Sequence, residues 1–122
     1  MREALQAKRR LLGDDHPNTL SSIGNLGILL HTQGKTDEAV PLLREAMETS
    51  RRILGDDHPD TRNSIANLGI LLEMQGEDEE AETLYRLLLE MSRRTLGAEH
   101  PYTVTVQERL ETFLSTRGEN DP

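Results

Sequence analysis

The stretch Leu12-Gly13-Asp14-Asp15-His16-Pro17 recurs letter for letter at Leu54-Gly55-Asp56-Asp57-His58-Pro59. A weaker copy, Leu96-Gly97-Ala98-Glu99-His100-Pro101, follows at the same 42-residue step. Aligning residues 12–53 with residues 54–95 needs no gap and gives about 25 identities, far beyond what shared composition produces. The chain is a tandem array, so its fold is one unit stacked on copies of itself.

Within one period the pattern is two helices. Pro17 suits the first helical position because its missing N–H would be unpaired there, and Asp15 or His16 can act as the cap. Ile23, Leu26 and Leu30 recur at three- and four-residue steps, with Gly27 beside them where a neighbouring helix can approach closely. Gly34 ends this helix. The second opens near Thr36 or Asp37 and carries one apolar stripe, Ala39, Leu42, Leu43, Ala46 and Met47. Arg51 and Arg52 lie at its carbonyl end, and Gly55 supplies the turn that stops it. The next period repeats this grammar with Pro59, Ile65, Leu68, Gly69, Leu72, Gly76, Ala81, Tyr85, Leu88, Arg93, Arg94 and Gly97.

Residues 1–13 match only a second helix and residues 98–117 only a first helix, so two full hairpins, 14–55 and 56–97, lie between two half repeats. Helices are expected near 1–12, 17–33, 36–54, 59–75, 78–96 and 101–117, with 118–122 a polar tail. The incomplete hairpins fit a segment of a longer array, since about three repeats are needed to bury a continuous core.

Composition agrees. Hydrophobic residues are 34% and aromatics 2% of the 122, too few for a thick spherical core and enough for thin local ones. With no cysteine there is no disulfide framework, thiol catalysis or cysteine-ligated zinc. No apolar run reaches membrane-span length and residues 1–10 lack a signal-peptide core, which sets the expectation of a cytoplasmic protein with no membrane contact. A formal net charge of -8 is the wrong sign for phosphate binding, so nucleic acid is not an expected partner.

Ile23-x-x-Leu26-Gly27-x-x-Leu30, followed by Gly34, Ala39, Leu43 and Ala46, resembles the tetratricopeptide pattern, and Ile65, Leu68, Gly69, Leu72, Gly76, Ala81 and Tyr85 repeat it. The longer period, the Leu-Gly-Asp-Asp-His-Pro-x-Thr linker and the Asn-Leu-Gly and Gln-Gly steps are similar to the repeats of kinesin light chain. The resemblance implies an all-α, right-handed α-solenoid of antiparallel helical hairpins. Three departures stand out. Arg51 and Arg93 occupy the place where short repeats end in proline, which lets the second helix run on. Leu88 replaces the small residue matched by Ala46. Gln107, Arg109 and Glu111 stand where isoleucine, asparagine and glycine stood, as befits an atypical terminal repeat.

No catalytic constellation stands out: there is no Walker or Gly-x-Gly-x-x-Gly loop, no nucleophile elbow, and no cofactor site. His16, His58 and His100 are equivalent points of successive linkers, too far apart to share a metal whose ligands lie about 2 Å away, and their expected role is capping. His31 stands alone. Asp14-Asp15 and Asp56-Asp57 lack the alternating ligands of a calcium loop, and Glu77–Glu80 begins a helix where negative charge is favoured.

What remains is a groove. First helices line the concave side of such a solenoid, and Asn25 and Asn67 are equivalent polar residues there, each offering a donor and an acceptor that match a peptide bond. The resemblance implies that they form successive rungs of a ladder along a bound peptide, with Arg109 in place of the third. The competing structural role is a hydrogen bond to a neighbouring helix that fixes the repeat angle. Ser21, Gly24, Ile28, His31 and Thr32 in one repeat, and Asn63, Ala66, Ile70, Glu73 and Met74 in the next, complete the expected lining. The reading is a non-enzymatic interaction scaffold that binds an extended peptide or partner helix. Two alternatives are end-to-end self-association through Leu5, Leu11, Leu12, Val104, Leu110, Phe113 and Leu114, and a regulatory arm of a larger enzyme or signalling ATPase.

Overall fold

The computed structural model describes the backbone of residues 17–120 and the side chains of residues 23–117. The leading half repeat, with the helix expected near 1–12, lies outside the described residues. Five helices follow: α1 (Pro17–Thr32), α2 (Thr36–Ile53), α3 (Pro59–Met74), α4 (Asp78–Leu96) and α5 (Pro101–Asn120). Four agree with the expected bounds to within a residue, and α5 continues through residues 118–120 of the segment read as a tail. Each helix packs on the next, and α1 also touches α3, so the molecule is a stack of antiparallel hairpins.

The linker works through its histidine. The Asp60 backbone N–H donates to His58 Nδ1 at 3.0 Å and the Tyr102 N–H to His100 Nδ1 at 3.0 Å, each satisfying one of the orphan donors that open a helix. Asp57, the other candidate cap in this linker, reaches forward instead and accepts from Arg94 Nη2 at 2.9 Å. Arg51 grips Asp56 with two hydrogen bonds, of 2.8 and 3.2 Å, and closes the linker on itself. At the hairpin turns Gly34 and Gly76 both take φ +79°, a left-handed conformation costly for any residue with a Cβ. The following N–H then folds back, Lys35 onto the Leu30 carbonyl at 2.8 Å and Glu77 onto that of Leu72 at 2.9 Å.

The two helices of a hairpin close on a bare glycine. A Cβ built at Gly27 would stand 2.9 Å from Leu43 Cγ, and one at Gly69 would stand 3.1 Å from Tyr85 Cε1. Around these contacts Ile23, Leu26, Leu30, Ala39 and Ala46 form one buried cluster between α1 and α2. A larger cluster runs from Leu43 and Met47 through Ile65, Leu68, Leu72, Ala81, Tyr85 and Leu88 to Leu110 and Phe113. Leu88 is 3% exposed, so the larger side chain is absorbed within this core.

The third repeat docks differently. In the α2–α3 seam Thr61 Oγ1 donates to the Ser50 carbonyl at 3.3 Å, whereas the equivalent Ser92 and Thr103 hydroxyls in the α4–α5 seam are buried without a partner. Leu110 and Phe113, expected to expose apolar surface at this end, are each 5% exposed and belong to the core; Val104 stays exposed and Leu114 is half-buried. The reason is that α5 turns these residues onto α4, where the Phe113 ring meets Tyr85 edge-on at 5.5 Å. Gln107 accepts from Arg93 at 3.2 Å and donates to Glu111 at 3.1 Å, so positions filled by isoleucine and glycine in α3 are here tied into a polar network.

Two substitutions test this account. Gly27→Ala should destabilise by about 1–3 kcal/mol, because the new methyl group overpacks against Leu43. His58→Ala should cost on the order of 1 kcal/mol through loss of the cap, and His58→Asn should restore most of it. Both are read from urea unfolding midpoints.

Candidate binding groove

Asp60, Asn63, Ser64 and Asn67 fall three and four residues apart and so share one face of α3. Across from them stand Gly24, Asn25 and Ile28 of α1, and Ser50 near the end of α2 joins from below. Together they enclose a cleft of about 170 Å³. Four of the expected groove residues, Asn25, Ile28, Asn63 and Asn67, are thus brought together.

Three features mark this cleft. No hydrogen bond among the described residues engages the Asn25, Asn63 or Asn67 amides. Each amide therefore keeps both donors and its acceptor available. Ile28 is 42% exposed and supplies apolar surface beside them. Gly24, inside α1, would meet nothing within 4 Å if it carried a Cβ. A glycine there costs about 0.5–1 kcal/mol relative to alanine, and unlike Gly27 it has no close helix contact to require it. Its effect is a stretch of bare backbone in the cleft wall.

The other expected residues sit elsewhere. His31 is not alone: its Nδ1 hydrogen-bonds Thr36 Oγ1 at 3.0 Å and braces the α1–α2 turn. Thr32 donates to the Leu29 carbonyl of its own helix at 2.7 Å. Ile70 is half-buried against the core, and Met74 is 64% exposed at the end of α3. The Ser21 side chain lies outside the described residues.

Glu73 belongs to a second cleft, between α3 and α5. It is lined by Glu73, Thr105, Glu108, Arg109, Thr112, Phe113 and Thr116, with a volume of about 280 Å³. Here the Tyr85 hydroxyl donates to Glu73 Oε1 at 2.7 Å and accepts from Arg109 Nε at 3.1 Å. The Arg109 guanidinium also sits 5.6 Å from the Tyr85 ring centroid and 3.7 Å from the Glu73 carboxylate. Burial and the bond to Glu73 push the Tyr85 phenol from 10.0 up to about 12, with Arg109 pulling the other way.

Sequence reading missed Ser50, Asp60 and Ser64 as lining residues. Asp60 and Ser64 lie seven and three residues before Asn67, a helical spacing that would have found them; Ser50 comes from another helix and leaves no such signal. Among the described residues no three histidines, cysteines or carboxylates are placed to hold a metal ion, and no helix is long and apolar enough to cross a membrane.

Paired helices stacked in register, with free amides on the first-helix side, define a helical-repeat solenoid with a candidate groove. A tetratricopeptide repeat family model matches residues 1–51 and 30–94, and the chain belongs to that family. The crystal structure of a Podosopora anserina protein with nearly identical TPR-like repeats of kinesin light chain type matches with a TM-score of 0.88 at 25% identity, over 96% of this chain and 56% of that one. A variant of the same protein matches with a TM-score of 0.87 at 25% identity, over 96% and 55%. This chain thus spans a little over half the length of those structures, and its repeats are of the kinesin-light-chain-like type. No curated protein matches it in sequence. Repeats of this family are generally protein-interaction scaffolds.

The Tyr85 assignment predicts an alkaline transition. A phenol whose folded pKa is raised stabilises the fold fully below pH 10.0 and loses that contribution as pH rises to about 12. Ultraviolet titration should show phenolate absorbance appearing late, and Tyr85→Phe should reduce the loss of stability over the same interval.

Proposed function

We propose that this chain is a non-catalytic interaction module that holds an extended segment of a partner protein along its first helices, with Asn25 and Asn67 hydrogen-bonding the segment's backbone. The observation that carries this reading is the set of unengaged amides around one cleft. Asn25 and Asn63 are exposed and Asn67 is half-buried, and an amide with no internal partner is available to a ligand. Asn67 is half-buried, so the bonds it makes to a ligand would be partly shielded from water. An extended strand suits the cleft because its peptide groups present a donor and an acceptor at short intervals, whereas a helix has already paired them.

The lining adds specificity of a simple kind. Ile28 offers apolar contact, and the backbone beside Gly24 lets the ligand approach more closely than a side chain would permit. Among the described residues the first cleft contains no lysine or arginine, which disfavours a carboxylate-tailed ligand. Self-association through the α5 end has less surface to work with, because Leu110 and Phe113 are already buried within the chain.

Asn25→Ala combined with Asn67→Ala should abolish capture of extended peptides from a random pool while leaving helicity and melting temperature nearly unchanged. Lost stability, with no peptide captured by the unmodified protein, would assign the two asparagines to the fold and sink the groove. Gly24→Ala should raise stability by about 0.5–1 kcal/mol, and Gly24→Leu should block the same capture without unfolding the chain.

A further inference from the structure

We infer that α5 is a built-in stop to the stack: the face on which α1 and α3 seat the second helix of their hairpins is closed on α5, by Gln107 and Glu111, to the second-helix segment of another copy of this chain. The inference stands apart from the groove. It concerns the one join that the repeat pattern itself invites.

Residues 1–13 match a second helix and residues 98–117 a first helix, so two copies laid end to end would complete a hairpin across the join. Such a heterologous contact need not close, and repeated it builds filaments. In α1 and α3 the seat is a triplet at four- and three-residue steps: Ile23, Gly27 and Leu30, then Ile65, Gly69 and Leu72. All six residues are buried. The two glycines admit Leu43 to 2.9 Å and Tyr85 to 3.1 Å from the point where a Cβ would stand.

One period after Ile65, Gly69 and Leu72 the triplet reads Gln107, Glu111 and Leu114. Gln107 and Leu114 are half-buried and Glu111 is exposed. A glutamate in the glycine's place holds an incoming helix off, because its side chain fills the point of closest approach. A helix forced over it would also strip water from a carboxylate whose bonded neighbour is the neutral Gln107 amide, at 3.1 Å, a strongly unfavourable burial. Gln107 is itself pinned by Arg93 of α4 at 3.2 Å. Val104, the exposed apolar residue of α5, corresponds to Arg62 and lies outside the triplet.

The backbone agrees with the side chains. After α1 and α3 the chain reverses at Gly34 and Gly76, both at φ +79°, whereas the equivalent Gly118 lies inside α5, which continues to Asn120. One residue before it, Arg117 hydrogen-bonds Glu82 and ties this end of α5 down on α4. No turn forms at Gly118 to bring a second helix back over the triplet.

Sedimentation equilibrium on the full chain, from about 10 μM to about 1 mM, tests the stop, with helicity and melting temperature recorded alongside. The unmodified protein should keep the mass of one chain throughout. Gln107→Ile combined with Glu111→Gly restores the triplet of α1 and α3, and its average mass should rise at least about twofold over the same range. A glycine also weakens α5 as a helix, so Gln107→Ile with Glu111→Ala serves as a second opening variant: it removes the charge, keeps a strong helix former and should give a smaller rise. Thr112→Ile adds apolar surface at an exposed position outside the triplet and should leave the mass unchanged. A single-chain mass for both opening variants, with helicity intact, would show that Gln107 and Glu111 block nothing and overturns the inference. So does a rise with Thr112→Ile as large as that of the opening variants, which reveals general stickiness. Growth of the unmodified protein that Leu114→Glu abolishes would show the α5 seat to be open already, and overturns it too.

Discussion

The contact between a glycine on one helix and a large side chain on the next sets the geometry of every complete hairpin in this chain. Gly27 admits Leu43 and Gly69 admits Tyr85, each at a distance where a methyl group would force something to move. Because the helices close this far, small residues such as Ala39, Ala46 and Ala81 can be buried completely, and a chain poor in large apolar residues still forms two well-buried clusters. The hairpin is thus defined by an absence of side chain at one point, and the leucine stripes fill the space on either side of it.

Repetition then propagates the geometry. The linker histidine starts α3 and α5, the glycine turn ends α1 and α3, and Asp57 reaches over to Arg94 of the same repeat's second helix. Exposed ion pairs of this sort add little stability on their own. Their use is to fasten one repeat to the next at a fixed register, on top of the burial that supplies most of the free energy. In α5 the grammar changes: glutamine and glutamate take the isoleucine and glycine positions, two hydroxyls are buried unpaired in the seam, and Arg109 turns toward Tyr85 in the place of a third asparagine. The last described helix completes the core of its neighbour more than it founds a hairpin of its own.

Function sits in what packing leaves over. A first helix in this fold needs its apolar face for its own partner and for the adjacent repeats, and the remaining face is free to vary. On that face α1 and α3 place amides with no internal partner and a glycine with nothing within 4 Å of a would-be Cβ. All lie in one cleft. Groups satisfied within the fold are not available to anything outside it, and these amides are not so satisfied.

The sequence by itself determined the architecture: the 42-residue period, the proline and glycine punctuation and the apolar stripes fix hairpins whose observed bounds differ from the expected ones by at most a residue in four helices. These are short-range rules, dictated by backbone conformation and by the spacing of side chains along one helix, so they are legible in a string. The identity of the groove residues was partly legible, since Asn25 and Asn67 are marked by equivalence and Asp60 and Ser64 by helical spacing. Tertiary structure alone decided the rest. It turned His31 and Thr32 into turn and backbone partners, placed Ser50 under the cleft from another helix, buried Leu110 and Phe113, and joined Glu73, Tyr85 and Arg109 from three helices into one network. Those outcomes depend on the rotation and distance between helices, which are set by the packing of many side chains at once and leave no mark in the spacing of any single segment.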